Sequence, residues 1–178
     1  RACAVLTGIG TVLSDNPRLD VREVQTDRQP ALVLVDSALQ VPLDASLFIA
    51  DRAVYIYAAI ENYSKKRALE ALGATVICMP DGRGKVDLAA MVRDLGCREI
   101  NELHVEAGYK LNGSLVREGL VDELLVYLAP KLMGEGCGML QWGPLTELSQ
   151  ALALDFTALD RVGPDVRLVA RVVGRDRF

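Results

Sequence analysis

Histidine is nearly absent from this sequence: His104 is the only one in 178 residues. The four cysteines, Cys3, Cys78, Cys97 and Cys137, stand far apart and form no C-x-x-C pair. A structural zinc site needs four clustered Cys or His ligands, so no metal is expected within the chain. Aromatic residues make up only 5%, and no dense cluster of Lys and Arg accompanies them. A nucleic-acid face needs that clustering, preferably with interleaved aromatics. The longest apolar runs, residues 31–35 and 124–129, fall far short of the ~20 residues of a membrane helix. Nucleic acid and membrane are therefore not expected partners.

What is present is an ordinary globular composition. Hydrophobic residues make up 51% and charged residues 25%, which excludes disordered and collagen-like chains. At roughly 150 residues per domain, the length predicts a single domain. Such a domain buries roughly 70% of the surface its unfolded chain exposes, so no disulfide staples are needed. The cysteines read as reduced thiols of a cytoplasmic protein, with Cys3 and Cys78 as core fillers. The net charge of −4 bears on solubility and little else. The first residue is Arg1 rather than Met, and residues 3–6 already read as a strand. The chain is thus expected to open inside a structured element.

The hydrophobic pattern alternates strand and helix, then turns to strands alone. Residues 3–7 and 74–78 read as strands, the continuous apolar runs at 31–35 and 53–58 suit strands buried on both faces of a parallel sheet, and Glu102-Leu-His-Val-Glu106 reads as a further strand. Between them, Thr11–Ser14 makes one helical turn closed by Asp15-Asn16-Pro17. Residues 64–72 form a helix with Ala68, Leu69 and Leu72 inward and Gly73 at its end. Asp87 caps a helix with Leu88, Met91, Val92 and Leu95 inward, stopped by Gly96. Residues 110–118 form the last helix, stopped by Gly119. Strands then follow at 121–129, 153–162 and 166–173, the last two joined by Gly163-Pro164-Asp165. This predicts one α/β domain with a mixed, mostly parallel sheet and a C-terminal antiparallel hairpin.

Three polar sites fall at strand ends. Gly8-x-Gly10 leaves the first strand, but the G-x-G-x-x-G pattern fails at Leu13, so a tight exit turn competes with a phosphate loop. Thr11, Asp15, Asn16 and Arg22 surround Pro17, either as a solvated turn or with Arg22 as a phosphate fork. Ser37 follows the second strand, and no histidine is spaced to activate it as a nucleophile. Glu106 ends a strand just before Gly108 and a helix start, where an anion is favoured; a capping loop acid is the competing reading. His104 reads as a satisfied sheet-face residue. Asp122 and Glu123 are adjacent strand acids that point to opposite faces, so they read as structural. Together these sites fit a large phosphate-bearing ligand whose hydride chemistry a cofactor supplies.

Four ordered segments carry a family resemblance: Thr7-Gly-Ile-Gly-Thr-Val-Leu-Ser-Asp-Asn-Pro-Arg-Leu-Asp-Val-Arg22, His104-Val-Glu-Ala-Gly108, Gly119-Leu-Val-Asp-Glu-Leu124 with Ala129-Pro-Lys-Leu-Met-Gly134, and Val162-Gly-Pro-Asp-Val166. The chain resembles the reductase domain of the bifunctional riboflavin biosynthesis deaminase-reductase over essentially its whole length. The resemblance implies a dihydrofolate-reductase-like three-layer fold. It implies NADPH-dependent reduction of 5-amino-6-(5-phosphoribosylamino)uracil, a phosphorylated pyrimidine, to the ribitylamino product. It also implies a homodimer fused to a deaminase domain. By the same resemblance, Thr11, Asp15, Ser37, Gly108, Tyr109, Lys110, Leu111, Asn112, Gly113 and Ser114 contact the cofactor. Leu19, Arg22 and Glu106 contact the substrate, and Asp15 is the candidate for proton handling. The family's first strand with its S-x-D-G segment, the helix after it and the zinc deaminase motifs are not found. Arg1 is not assigned the role of that helix's arginine. Tyr109 and Lys110 stand where relatives often carry Pro and Thr. The alternatives are a pteridine reductase of dihydrofolate type and a truncated, non-catalytic module that binds nucleotide or dimerises.

Overall fold

Short apolar runs separated by helices build the sheet. In the computed structural model, which describes residues 2–49 and 51–175, the strands are β1 (Ala4–Gly8), β2 (Ala31–Val35), β3 (Val54–Ala58), β4 (Ala74–Cys78) and β5 (Leu103–Val105). They run parallel in the order β4-β3-β2-β1-β5. All five residues of β1 are buried, as an interior strand requires. Arg1 lies outside the described residues.

The two-residue period of the strands divides the core. Leu32, Leu34 and Ile56 meet Val12 of α1 (Ile9–Asp15) and Leu69 of α2 (Tyr63–Ala71) on one face. Ala4, Leu6, Val33 and Tyr57 meet Met91 and Leu95 of α3 (Leu88–Cys97) and Leu115 of α4 (Tyr109–Arg117) on the other. The result is three layers, with each fully buried Leu or Ile contributing roughly 1.5–3 kcal/mol. Side chains cap two helices: Asn62 accepts from the Lys65 amide at 3.0 Å, and Asp87 from the Ala90 amide at 2.8 Å.

Some local expectations are corrected. The turn at Thr11–Ser14 is a seven-residue helix that starts directly after Gly8. Gly96 does not stop α3. The helix runs on to Cys97 and closes where Glu99 takes φ 64° and the Ile100 amide donates to the Leu95 carbonyl at 3.0 Å. Ile100 and Leu95 pack in the same core cluster, and that contact carries the closure past the glycine. Cys78 is exposed at the end of edge strand β4, and Cys3 is half-buried. Leu72 is exposed because it lies beyond the last turn of α2.

The remaining strands, β6 (Glu123–Leu128), β7 (Leu154–Val162) and β8 (Asp165–Val172), form a separate antiparallel sheet in the order β6-β8-β7. The turn between β7 and β8 places Gly163 at φ 60°. Pairing register puts Leu124, Ala170 and Phe156 on one face, together with Val126, Leu168 and Leu159. A bulge between Phe156 and Ala158 keeps Phe156 and Leu159 on that face. The opposite face carries ion pairs, Arg167–Asp160 at 2.8 Å and Arg171–Glu123 at 3.6 Å. Asp122 pairs with Arg175 at 3.6 Å. The apolar face is covered unevenly: Ala170 is 1% exposed, whereas Phe156 is 71% and Leu159 69% exposed.

Candidate active site

The strand ends of the parallel sheet bring two glycine corners together. A Cβ on Gly8 would lie 3.1 Å from Leu111 Cδ2, and one on Gly108 would lie 3.7 Å from Thr11 Oγ1. Larger residues at either place would wedge α1 and α4 apart. Gly108 caps α4 with no side chain, and the Leu111 amide donates to the Gly108 carbonyl at 3.1 Å, so the Tyr109 and Lys110 N–H groups and the helix dipole are open to a ligand. Of the expected cofactor residues, Thr11, Gly108 and Leu111 therefore meet at one corner. Lys110 reaches over the Tyr109 ring at 5.9 Å beside them.

Ser37 belongs to the next strand exit. Asp36 is fully buried, and its carboxylate accepts the Val41 amide at 2.8 Å while its carbonyl accepts the Leu39 amide at 3.1 Å. The Ser37 carbonyl accepts the Ala59 amide at 3.0 Å, tying the ends of β2 and β3 together. Ser37 Oγ accepts the Val86 amide at 3.3 Å, and its hydroxyl proton remains for a ligand.

Farther along α4, Asn112 and Gly113 of the expected cofactor residues face protein. Asn112 donates to the carbonyls of Ala107 at 3.0 Å and Met139 at 3.1 Å. A Cβ on Gly113 would lie 2.2 Å from the Gln141 carbonyl oxygen. Ser114 donates to the Lys110 carbonyl at 3.1 Å. Asn112 and Gly113 thus hold the 139–141 segment where it crosses α4. Asp15 is exposed, one helical turn beyond Thr11, and does not line the cavity described next.

The three expected substrate residues line one cavity of about 300 Å³. Leu19 and Arg22 enter it from the loop after α1 and Glu106 from the end of β5, with Val5, Asp20 and Pro30 between them. The Glu106 backbone is fixed: its amide donates to the Leu6 carbonyl and its carbonyl accepts the Thr7 hydroxyl, both at 2.8 Å. Its carboxylate lies 3.3 Å from His104 Nε2. His104 and Glu106 are two residues apart on one sheet face. Arg18 and Arg22 converge on Asp20 at 2.8 and 2.9 Å, and the Asp20 side chain is only 5% exposed. Burial works to raise the Asp20 carboxyl, but the Arg22 hydrogen bond and the Arg18 charge outweigh it and hold the group below its usual value.

Residues that hold this wall from behind carried no sequence signal. Gln29 brackets Val21, accepting from its amide and donating to its carbonyl, each at 2.8 Å. Arg52, just ahead of β3, donates to the carbonyls of Leu19 and Arg18. Asp20 alone was open to inspection, since Arg18 and Arg22 stand two residues to either side of it. Among the described residues, no group of three or more His, Cys, Asp or Glu gathers as a metal set.

Comparison with known proteins places this geometry. The family described as the RibD C-terminal domain matches residues 1–168. The riboflavin biosynthesis protein RibD of Aquifex aeolicus is 32% identical over 165 residues, covering 93% of this chain and 45% of that protein. The 5-amino-6-(5-phosphoribosylamino)uracil reductase of Buchnera aphidicola is 28% identical over 178 residues, covering 95% of this chain and 86% of that protein. The solved structure of Acinetobacter baumannii RibD superposes with a TM-score of 0.82 at 25% identity, covering 97% of this chain and 47% of that one. The likeness bears out the expected dihydrofolate-reductase-like α/β fold. The chain spans about half the length of most of the curated relatives it matches.

Proposed function

The chain belongs to the RibD C-terminal domain family, and on that premise we propose that it reduces 5-amino-6-(5-phosphoribosylamino)uracil with NADPH, converting the ribosyl chain to a ribityl chain. The observation that carries the reading is the convergence of Leu19, Arg22 and Glu106 on one cavity, with Glu106 two residues ahead of Gly108 in the chain. A volume of about 300 Å³ lies at the small end of the range for ligand pockets. The Arg22 fork suits the substrate phosphate. Glu106 accepts from the polar end of the substrate, and Leu19 gives an apolar contact. NADPH, when bound, supplies the hydride. Thr11, Ser37 and the first turn of α4 hold it, because backbone N–H groups and a helix N-terminus suit its phosphates. Asn112, Gly113 and Ser114 set the position of that turn. Asp15, on the Thr11 side of α1, handles the proton.

The same reading includes a homodimer formed on the apolar face of the β6-β8-β7 sheet, and fusion to a deaminase domain in the whole protein, in the cytoplasm. NADPH titration, followed by nicotinamide fluorescence, and then NADPH oxidation with the pyrimidine test the activity. A chain that binds no NADPH overturns the reading; binding without turnover favours a non-catalytic module. Glu106→Gln is expected to raise the substrate KM about tenfold, the loss of one charged hydrogen bond, with a smaller change in NADPH affinity. Asp15→Asn is expected to lower kcat by roughly 10²–10⁴ and, since Asp15 is also a cofactor contact in this reading, to weaken NADPH binding.

A further inference from the structure

We propose that Arg52 is a positioning residue for the substrate cavity, locking the backbone at Leu19 so that Leu19 and Arg22 face the bound pyrimidine. The inference rests on the reading of that cavity as the substrate site. Arg52 Nη1 donates to the Leu19 carbonyl, and Nη2 donates to the Arg18 carbonyl at 2.5 Å and, at 3.5 Å, to the Leu47 carbonyl. The carbonyls of Arg18 and Leu19 belong to the two peptide planes on either side of the Leu19 Cα. One rigid, planar guanidinium bonded to both therefore fixes the φ and ψ of Leu19. Leu19 needs that restraint, because its φ is 51°, in the left-handed region that a branched side chain seldom takes. Such a backbone persists only where its surroundings over-determine it.

The next residue, Asp20, is the anchor for Arg18 and Arg22, so a rotation at Leu19 would swing Asp20 and Arg22 together out of the wall. Gln29 grips the far side of the same loop through Val21. Arg52 does this at a cost. Its Nε is buried with no hydrogen-bond partner, and a buried cation left partly unpaired is unfavourable. An apolar residue would serve packing better; the fork that spans consecutive carbonyls is what only arginine provides.

The test compares the unaltered chain with Arg52→Met and with Arg52→Lys, which keeps the charge and loses the fork. In Arg52→Met the Val21 amide is expected to exchange about tenfold faster, while the amides of α2 and α3 hold their rates. The KM for the pyrimidine rises about tenfold, and the NADPH KM and kcat stay within about twofold, the ordinary spread for a neutral change. Arg52→Lys restores only part of the loss and serves as the second variant if Arg52→Met does not fold. Unchanged loop exchange overturns the proposal. So does faster exchange with an unchanged pyrimidine KM, or an equal loss in the NADPH KM and kcat, since either makes Arg52 a general support. An unaltered chain that fails to turn over the pyrimidine sinks the reductase reading instead, and the exchange comparison then decides whether Arg52 holds the loop.

Discussion

Asp94 gathers two donors at the outer edge of α3. The Tyr57 hydroxyl donates to its Oδ2 at 2.6 Å, and Arg98 Nε donates to the same oxygen at 2.8 Å. Arg98 also lies over the Tyr55 ring, 5.0 Å from its centre. The Arg98 hydrogen bond holds the Asp94 carboxyl below its ordinary value of 3.8 against the opposing effect of burial, and Tyr57 adds to the lowering. The folded pKa is thus depressed relative to the unfolded one. The linked stability is fully present above the ordinary value and is lost as pH falls through the lowered one. Asp94→Asn is therefore expected to lower the Tm at neutral pH and to show a smaller loss of Tm on acidification than the unaltered chain. Parallel acid profiles of the two would contradict this. Burial, then the Asp94 bond, push the Tyr57 hydroxyl upward, so Tyr57 stays a donor across that range. At this scale the sequence marked Glu106 and Arg22 by their positions after a strand and a turn. The role of Asp94 was not legible, because its partner Tyr57 comes from a different element.

Two glycines in helices separate local propensity from tertiary packing. In α3, a Cβ on Gly96 meets nothing within 4 Å, so Gly96→Ala is expected to stabilise by about 0.4–1 kcal/mol through the unfolded chain's entropy. In α4, the three atoms nearest a Cβ on Gly113 are all backbone atoms of Gln141, at 2.2 to 2.7 Å. The Gln141 amide also donates to the Tyr109 carbonyl at 2.8 Å, and Arg117 donates to the Gln141 carbonyl at 2.5 Å. The crossing segment is held from both sides and cannot give way cheaply. Gly113→Ala is expected to destabilise by about 1–3 kcal/mol in spite of alanine's better helix propensity, read by urea denaturation of both variants. Equal signs for the two substitutions would refute the packing account. Both glycines look alike in sequence, each inside a helix-forming stretch. Glycine often stops a helix, but the Ile100–Leu95 contact carries α3 past Gly96.

At the scale of the whole molecule, the antiparallel sheet leaves its apolar face half covered. Phe156, Leu159 and Leu154 are exposed on β7, next to the buried Ala170 and Val172 of β8. Exposed patches of this kind mark association surfaces, which is why the homodimer is proposed there. Phe156→Glu together with Leu159→Glu is expected to turn a dimer into a monomer by analytical ultracentrifugation, with the far-UV circular dichroism unchanged. An unaltered chain that sediments as a monomer at micromolar concentration would remove the proposal. The alternation of strand and helix, and its replacement by strands alone after residue 121, was legible along the chain. The division into a five-stranded parallel sheet and a separate three-stranded one was not, since pairing partners leave no periodic mark.

By itself the sequence determined the elements and their order. Periods of two and of 3.6, a capping side chain such as Asp87, and polar residues at strand ends are all written into near neighbours. The tertiary structure decided what faces what. Leu19 and Arg22 meet Glu106 in one cavity, Arg52 reaches the backbone at Leu19, Gln141 lies against Gly113, and Cys78 and Phe156 face outward. Each of these depends on residues distant in the chain, whose approach is set by how the layers pack and not by any local pattern.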